Sequence, residues 1–217
     1  LHLEFEKNMQ NIDNIIFDYG NVIFEIDFLR SEKAFQALGI QDTASFFSHK
    51  VQNELFDSLD IGKISTAEFC DGVRRISGKG DLNDEKIIEA WNALLVGIPE
   101  GNHDVLLEMK SKYRTFLLSN NNEIHYNYIM DYLKRDFGLS DNSGFFEKDY
   151  YSHLMGMRKP NADIFEFVIN EHQLIPQNTL FIDDSPQHLV TARKLGLQTA
   201  LVTQPETLKE LVQRLGL

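Results

Sequence analysis

A chain of 217 residues, 42% hydrophobic and 25% charged, can bury one substantial core, or one core and a small accessory lobe. A net charge of −12 with scattered Lys and Arg argues against a nucleic-acid partner, and no apolar run is long enough to span a membrane. The single cysteine, Cys70, excludes an intrachain disulfide framework, and no Asn-x-Ser/Thr site occurs, so the expected location is cytoplasmic.

Leu1 to Asn8 precede Met9 and are set aside from the fold expectations. Ile15-Ile16-Phe17 is a short apolar run of β-formers that leads into Asp18, which fits a strand buried on both faces. After Asp27 such runs stop, and amphipathic patterns predict helices over 28–38, 44–59, 66–76 and 84–95. Ser65 followed by Glu68 is a capping-box pattern, and Gly39, Gly62 and Gly78-Lys79-Gly80 mark boundaries between helices. The aromatics of this stretch, Phe35, Phe46, Phe47, Phe56 and Trp91, are expected in its own core.

Beyond Gly97 strand and helix alternate. A helix over 102–112 precedes Phe116-Leu117-Leu118, which runs into Ser119, and a helix over 124–134 follows. A helix over 162–172 precedes Leu180-Phe181-Ile182, which runs into Asp183-Asp184. A helix over 186–194 closes at Gly196, a strand covers 199–202, and Pro205 opens a last helix reaching Leu215. The expected fold is α/β: a doubly wound, Rossmann-like parallel sheet with an inserted helical-bundle cap. Residues 9–26 and 98–217 would form the core and 27–97 the cap, poised as a lid.

In such sheets ligands bind beyond the carboxyl ends of strands where strand order reverses, so Asp18, Ser119 and Asp183-Asp184 are expected to converge. Crowded carboxylates call for a cation. Together these residues suit phosphoryl transfer, in which catalysis requires a positioned nucleophile and dense positive charge around the phosphate oxygens. Asp18 would attack phosphorus, and Asp18, the Gly20 carbonyl, Asp183 and Asp184 would hold Mg2+. Lys159, in Gly156-Met157-Arg158-Lys159-Pro160, would bring an ammonium to the phosphate, joined by Ser119, Asn120 and the backbone at Gly20. The expected partner is a small phosphorylated metabolite, with no nucleic acid and no membrane.

FDYGNVI, LLSN, GMRKP and FIDD, in this order, resemble the four motifs of the haloacid dehalogenase superfamily of phosphatases, over nearly the whole chain. FDYGNVIFEIDF, SNNNEIHYNYI and GMRKP are similar to bacterial sugar-phosphate phosphatases of the alpha-D-glucose-1-phosphate phosphatase type. The resemblance implies the aspartate nucleophile, phosphate binding by Ser119 and Lys159, and magnesium at the paired acids. It also exposes a departure. Most phosphatases of the superfamily carry a second aspartate two residues after the first, as general acid and base, and here that residue is Gly20.

Three expectations follow from Gly20. The substrate has a good leaving group, such as a hexose 1-phosphate. Or another acid serves, with Glu25, Asp27, His125 and His153 as candidates. Or the chain is a non-catalytic module that binds phosphorylated ligands or proteins. A 2-haloacid dehalogenase or a phosphomutase ranks below these, since Asp183-Asp184 points to a metal and a mutase needs the missing acid most.

Overall fold

A computed structural model describes residues 11–40 and 54–217. Among them, five strands form one parallel sheet: β1 (Asn14–Phe17), β4 (Arg114–Ser119), β5 (Lys148–Tyr151), β6 (Thr179–Asp183) and β7 (Gln198–Leu201), in the order β5-β4-β1-β6-β7. A separate antiparallel pair is made by β2 (Glu25–Ile26) and β3 (Leu95–Gly97). The helices in chain order are α1 (Phe28–Ala37), α2 (Glu54–Asp60), α3 (Thr66–Ser77), α4 (Asp84–Asn92), α5 (Asn102–Lys112), α6 (Glu123–Phe137), α7 (Ser152–Met155), α8 (Ala162–Glu171), α9 (Pro186–Lys194) and α10 (Leu208–Leu215).

β1 is central because every one of its side chains is apolar or hydrogen-bonded, and all four residues are buried. The pleat sorts them. Ile15 and Phe17 face one layer with Leu117, Leu180 and Ile182, against α5, α6 and α10. Ile16 faces the other with Phe116, Leu118 and Phe181, against α8 and α9. Asn14 is the exception in polarity, and it donates to Thr179 Oγ1 at 3.1 Å. A fully buried phenylalanine contributes about 1.5–3 kcal/mol by transfer from water, so Phe17, Phe116 and Phe181 anchor the sheet.

β1 pairs with β4 on one side and β6 on the other, all parallel. The chain builds outward to β5, then crosses back to β6, so strand order reverses at β1 and a crevice opens at the carboxyl ends of β1, β4 and β6.

Between β2 and β3 the described chain is helical. The Ser65–Glu68 capping box is present in both directions. Phe35 and Phe69 are fully buried, and Phe56 packs 5.4 Å from Phe69 and 4.9 Å from Trp91 between ring centroids. Most of the expected helix over 44–59, and with it Phe46 and Phe47, lies outside the described residues.

Some expectations need correction. The helix over 84–95 stops at Asn92, because Leu95 to Gly97 turn extended and pair with β2. The strand after Gly196 sits one residue earlier, at Gln198–Leu201. The last helix begins at Leu208 and not at Pro205, since Thr207 and Glu210 form a reciprocal capping box that fixes its start.

Candidate active site

Parallel pairing brings the residues that follow β1, β4 and β6 to one edge of the sheet. The Asp18 N–H donates to the Ile182 carbonyl at 2.8 Å, which extends the β1–β6 ladder one residue past β1. Its carboxylate is oriented by the next amide: Tyr19 N–H donates to Oδ1 at 2.7 Å. Asp183 ends β6 fully buried, and Ser119 ends β4 with its side chain buried.

Lys159 enters from the loop before α8. Its ammonium has no exposed surface and lies 2.8 Å from Asp18 Oδ1 and 2.8 Å from Asp183 Oδ2. The backbone that carries it is clamped by one side chain. Asn120 Nδ2 donates to the Lys159 carbonyl at 2.9 Å, and the Lys159 N–H donates to Asn120 Oδ1 at 2.9 Å. Two loops, after β4 and before α8, are thus joined at the ammonium.

The site concentrates negative charge. Burial pushes the Asp18 carboxyl up to about 8, against the pull of Lys159 and with repulsion from Asp183 and Asp184 added. Burial also raises Asp184, against a hydrogen bond from Asn21. Burial opposes Asp183 too, yet Lys159 and His188 outweigh it and hold that carboxyl below the usual range. Burial likewise opposes the charge on Lys159, and the Asp18 and Asp183 carboxylates outweigh it, so the ammonium is held above the ordinary lysine value. Three carboxyl groups share one ammonium, and a divalent cation would let all three ionise together, so this donor set fits Mg2+.

The structure adds residues that the sequence expectations leave out. His188, one turn into α9, places Nδ1 2.9 and 3.0 Å from the two Asp183 oxygens. Asp18, Asp183 and His188 offer ligand atoms within 4.8 Å of one another. Asn21 donates to Asp184 Oδ2 at 3.0 Å, and its own backbone is left-handed, with φ of 54°. A His five residues after an aspartate that ends a strand could have been read as facing back toward the strand end; Asn21 stands inside FDYGNVI but has no spacing that marks it.

Gly20, Ser119 and Asn120 line a small cleft with Tyr19, Ile26, Leu95 and His125. The candidates for a replacement acid fare differently. Asp27 accepts from Leu29 N–H and caps α1, and Glu25 is exposed on β2 against a different hollow, beside Pro99 and Gln204. His125 lines the cleft, but its Nδ1 faces Asn122 Nδ2 at 3.3 Å and its Nε2 faces the Trp91 carbonyl at 3.3 Å. That pattern fixes the neutral tautomer with its proton on Nε2, committed to Trp91. His153 packs against the rings of Tyr126 and Tyr151 and borders a groove that Ser119 does not line.

A doubly wound sheet with an acidic and lysine-bearing site at its switch point is an arrangement that can bind a phosphate and present a carboxylate to it. The match to the haloacid dehalogenase-like hydrolase model covers residues 12–196, and the chain belongs to that family. It is 31% identical over 197 residues to the D-ribitol-5-phosphate phosphatase of Bacteroides thetaiotaomicron, covering 90% of this chain and 92% of that one. A haloacid dehalogenase family enzyme from the same species, crystallised with magnesium and inorganic phosphate as an aspartate-to-alanine mutant, superposes with a TM-score of 0.83 at 34% identity, covering 90% and 96% of the two chains. A chain from Porphyromonas gingivalis described as a predicted HAD-like family hydrolase gives a TM-score of 0.85 at 33% identity, covering 95% and 98%.

Proposed function

We propose that the chain is a magnesium-dependent phosphatase of small sugar or sugar-alcohol phosphates that works through an aspartyl phosphate on Asp18. The observation that carries this reading is the Lys159 ammonium 2.8 Å from both Asp18 and Asp183 at the sheet's switch point. Asp18 is the nucleophile, oriented by the Tyr19 amide. Lys159 and Ser119 bind the phosphate oxygens, with Asn120 holding the Lys159 backbone in place. Asp18, Asp183, Asp184 and the Gly20 carbonyl hold the ion. Magnesium, when bound, supplies positive charge to the phosphate oxygens and to the carboxylates around them. Residues 27–97 form the cap and close over the cleft, which excludes water. Among the described residues no helix is long and apolar enough to cross a membrane, and a cytoplasmic location fits the single buried thiol.

The leaving group is the point of specificity. Glu25, Asp27, His125 and His153 are all engaged or displaced, which favours a leaving oxygen that departs without a strong general acid. The anomeric oxygen of a hexose 1-phosphate is of that kind. The D-ribitol-5-phosphate phosphatase relative supports small polyol phosphates as a second group.

The test is phosphate release from sugar 1-phosphates, sugar 6-phosphates and D-ribitol 5-phosphate, with Mg2+ or EDTA, for wild type and Asp18→Asn. Release that needs both Mg2+ and Asp18 is expected. Binding of these compounds with no release under any divalent ion would replace the reading with a phospholigand-binding module.

A further inference from the structure

Arg158 immediately precedes Lys159, yet its side chain takes the other direction. It reaches α2, where the guanidinium pairs with Asp57 and lies 3.5 Å from Asp60 Oδ2. Only 13% of the Arg158 side chain is exposed, so this charge is largely removed from water, and the two carboxylates of α2 are its acidic partners.

The same end of α2 is tied to the loop after β4 and to the segment after β5. Asn122 Nδ2 donates to Asp60 Oδ1 at 3.2 Å, and Asn122 itself caps α6 three residues after Ser119. Ser152 Oγ lies 2.5 Å from the Asp60 carbonyl and 2.8 Å from that of Asn121. Just beyond, Gly62 approaches the His153 carbonyl so closely that a β-carbon would collide with it, and its φ is 65°. Thr66 Oγ1 donates to Glu123 at 2.6 Å. These ties are polar, and water can take over their hydrogen bonds when they part.

We infer that Arg158 is a positioning residue: held by Asp57 and Asp60, it fixes the helical segment over the Asp18 site and fixes the backbone that presents Lys159. This inference rests on residues 27–97 acting as the cap in the proposed reaction. A single side chain then couples closure to the placement of the ammonium. When these ties part, the residue beside Lys159 loses its anchor; when they form, Lys159 is braced from the α2 side through Arg158 and from the β4 side through Asn120. Catalysis would be complete only in the closed arrangement, in the manner of lids that assemble a site as they shut.

The protein carries its own reporter. Trp91 is the only tryptophan in the chain, stands on α4, and packs with its ring centroid 4.6 Å from that of His125 on α6, across the boundary between the helical segment and the sheet layers. Its indole is buried. The experiment compares wild type with Arg158→Met, Arg158→Lys, Asp57→Asn and the Arg158→Met/Asp57→Asn double variant. Trp91 emission and kcat and KM for p-nitrophenyl phosphate are read on each, after circular dichroism has verified the fold.

Arg158→Met is expected to shift Trp91 emission to the red and to lower kcat by about tenfold to a hundredfold, the scale of a small misplacement of a catalytic group. Arg158→Lys should recover part of both effects. Asp57→Asn should reproduce them more weakly, and the double variant should be no worse than Arg158→Met, since both changes cut one interaction. Unchanged emission and unchanged kcat in folded Arg158→Met would overturn the inference. Should that variant not fold, unchanged values in Asp57→Asn, where the altered side chain is partly exposed, would do so. Failure of the proposed reaction looks different: wild type would release no phosphate, while the emission shift would still be seen.

Discussion

Ile26 Cδ1 lies 2.5 Å from the point that a β-carbon on Gly20 would occupy. Gly20 does not have a positive φ, so what keeps this residue small is a neighbouring side chain and not the backbone. Ile26 sits on β2, and its tip can move. Gly20→Asp is therefore expected to fold, with a cost of about 1–3 kcal/mol from crowding. Trimming the neighbour as well, in Gly20→Asp/Ile26→Ala, should relieve the crowding and install an acid. For a sugar 6-phosphate, whose leaving group is poor, kcat should then rise by about a hundredfold over Ile26→Ala alone. Equal kcat values would mean that the acid function already resides elsewhere.

Asp18→Asn tests the nucleophile and the charge balance together. Turnover should fall by at least about a thousandfold, as when a covalent nucleophile is removed elsewhere. Stability should move the other way in EDTA. The folded carboxyl titrates near 8 against an ordinary 3.8, so its ionisation opposes folding, and that penalty grows as pH rises from 4 toward 8. A higher urea midpoint for Asp18→Asn at pH 8 than for wild type, with the difference shrinking toward pH 4, is the expected result.

Lys159→Met leaves Asp18 and Asp183 buried without their shared ammonium. Loss of one member of a buried ion cluster costs about 3–5 kcal/mol. Urea unfolding in EDTA should show that loss, and excess Mg2+ should restore part of it if the same carboxylates bind the ion.

His125 predicts an acid limb. Burial drives its imidazole down to about 4, with the Trp91 carbonyl pulling weakly the other way. An unfolded chain takes up that proton near 6.5, so stability falls as pH drops from 6.5 and the loss is complete below 4. At about 1.4 kcal/mol per unit, the loss is about 3 kcal/mol. His125→Gln should flatten this part of the curve of urea midpoint against pH; an unchanged slope would assign the acid limb to other groups.

The residues that carry the candidate site were legible because β1, β4 and β6 are short, apolar and buried on both faces, and each ends abruptly in a polar residue. The alternation with helices 102–112 and 162–171 then made the sheet parallel. β5 escaped because Lys148-Asp149-Tyr150-Tyr151 is an edge strand with one polar half, and it takes its hydrogen bonds from β4 alone. β2 and β3 escaped because strands of two and three residues have no period to read. Asn21 and Arg158 illustrate a different limit. Their partners, Asp184 and Asp57, lie 163 and 101 positions away, and only the fold decides that they meet.

The pairing of β2 with β3, reinforced by the Asp27 N–H donating to the Leu94 carbonyl at 2.8 Å, means that the stretch between them departs and comes home through neighbouring doors. Topologically it is a parenthesis in the sentence that β1 begins and β4 resumes. Lengthening or shortening it away from the residues that meet the core leaves the sheet itself intact as long as the two ends stay side by side, as in other tolerated insertions. Changes of length or sequence between Ile26 and Leu95 therefore leave the order and register of the five parallel strands as they are.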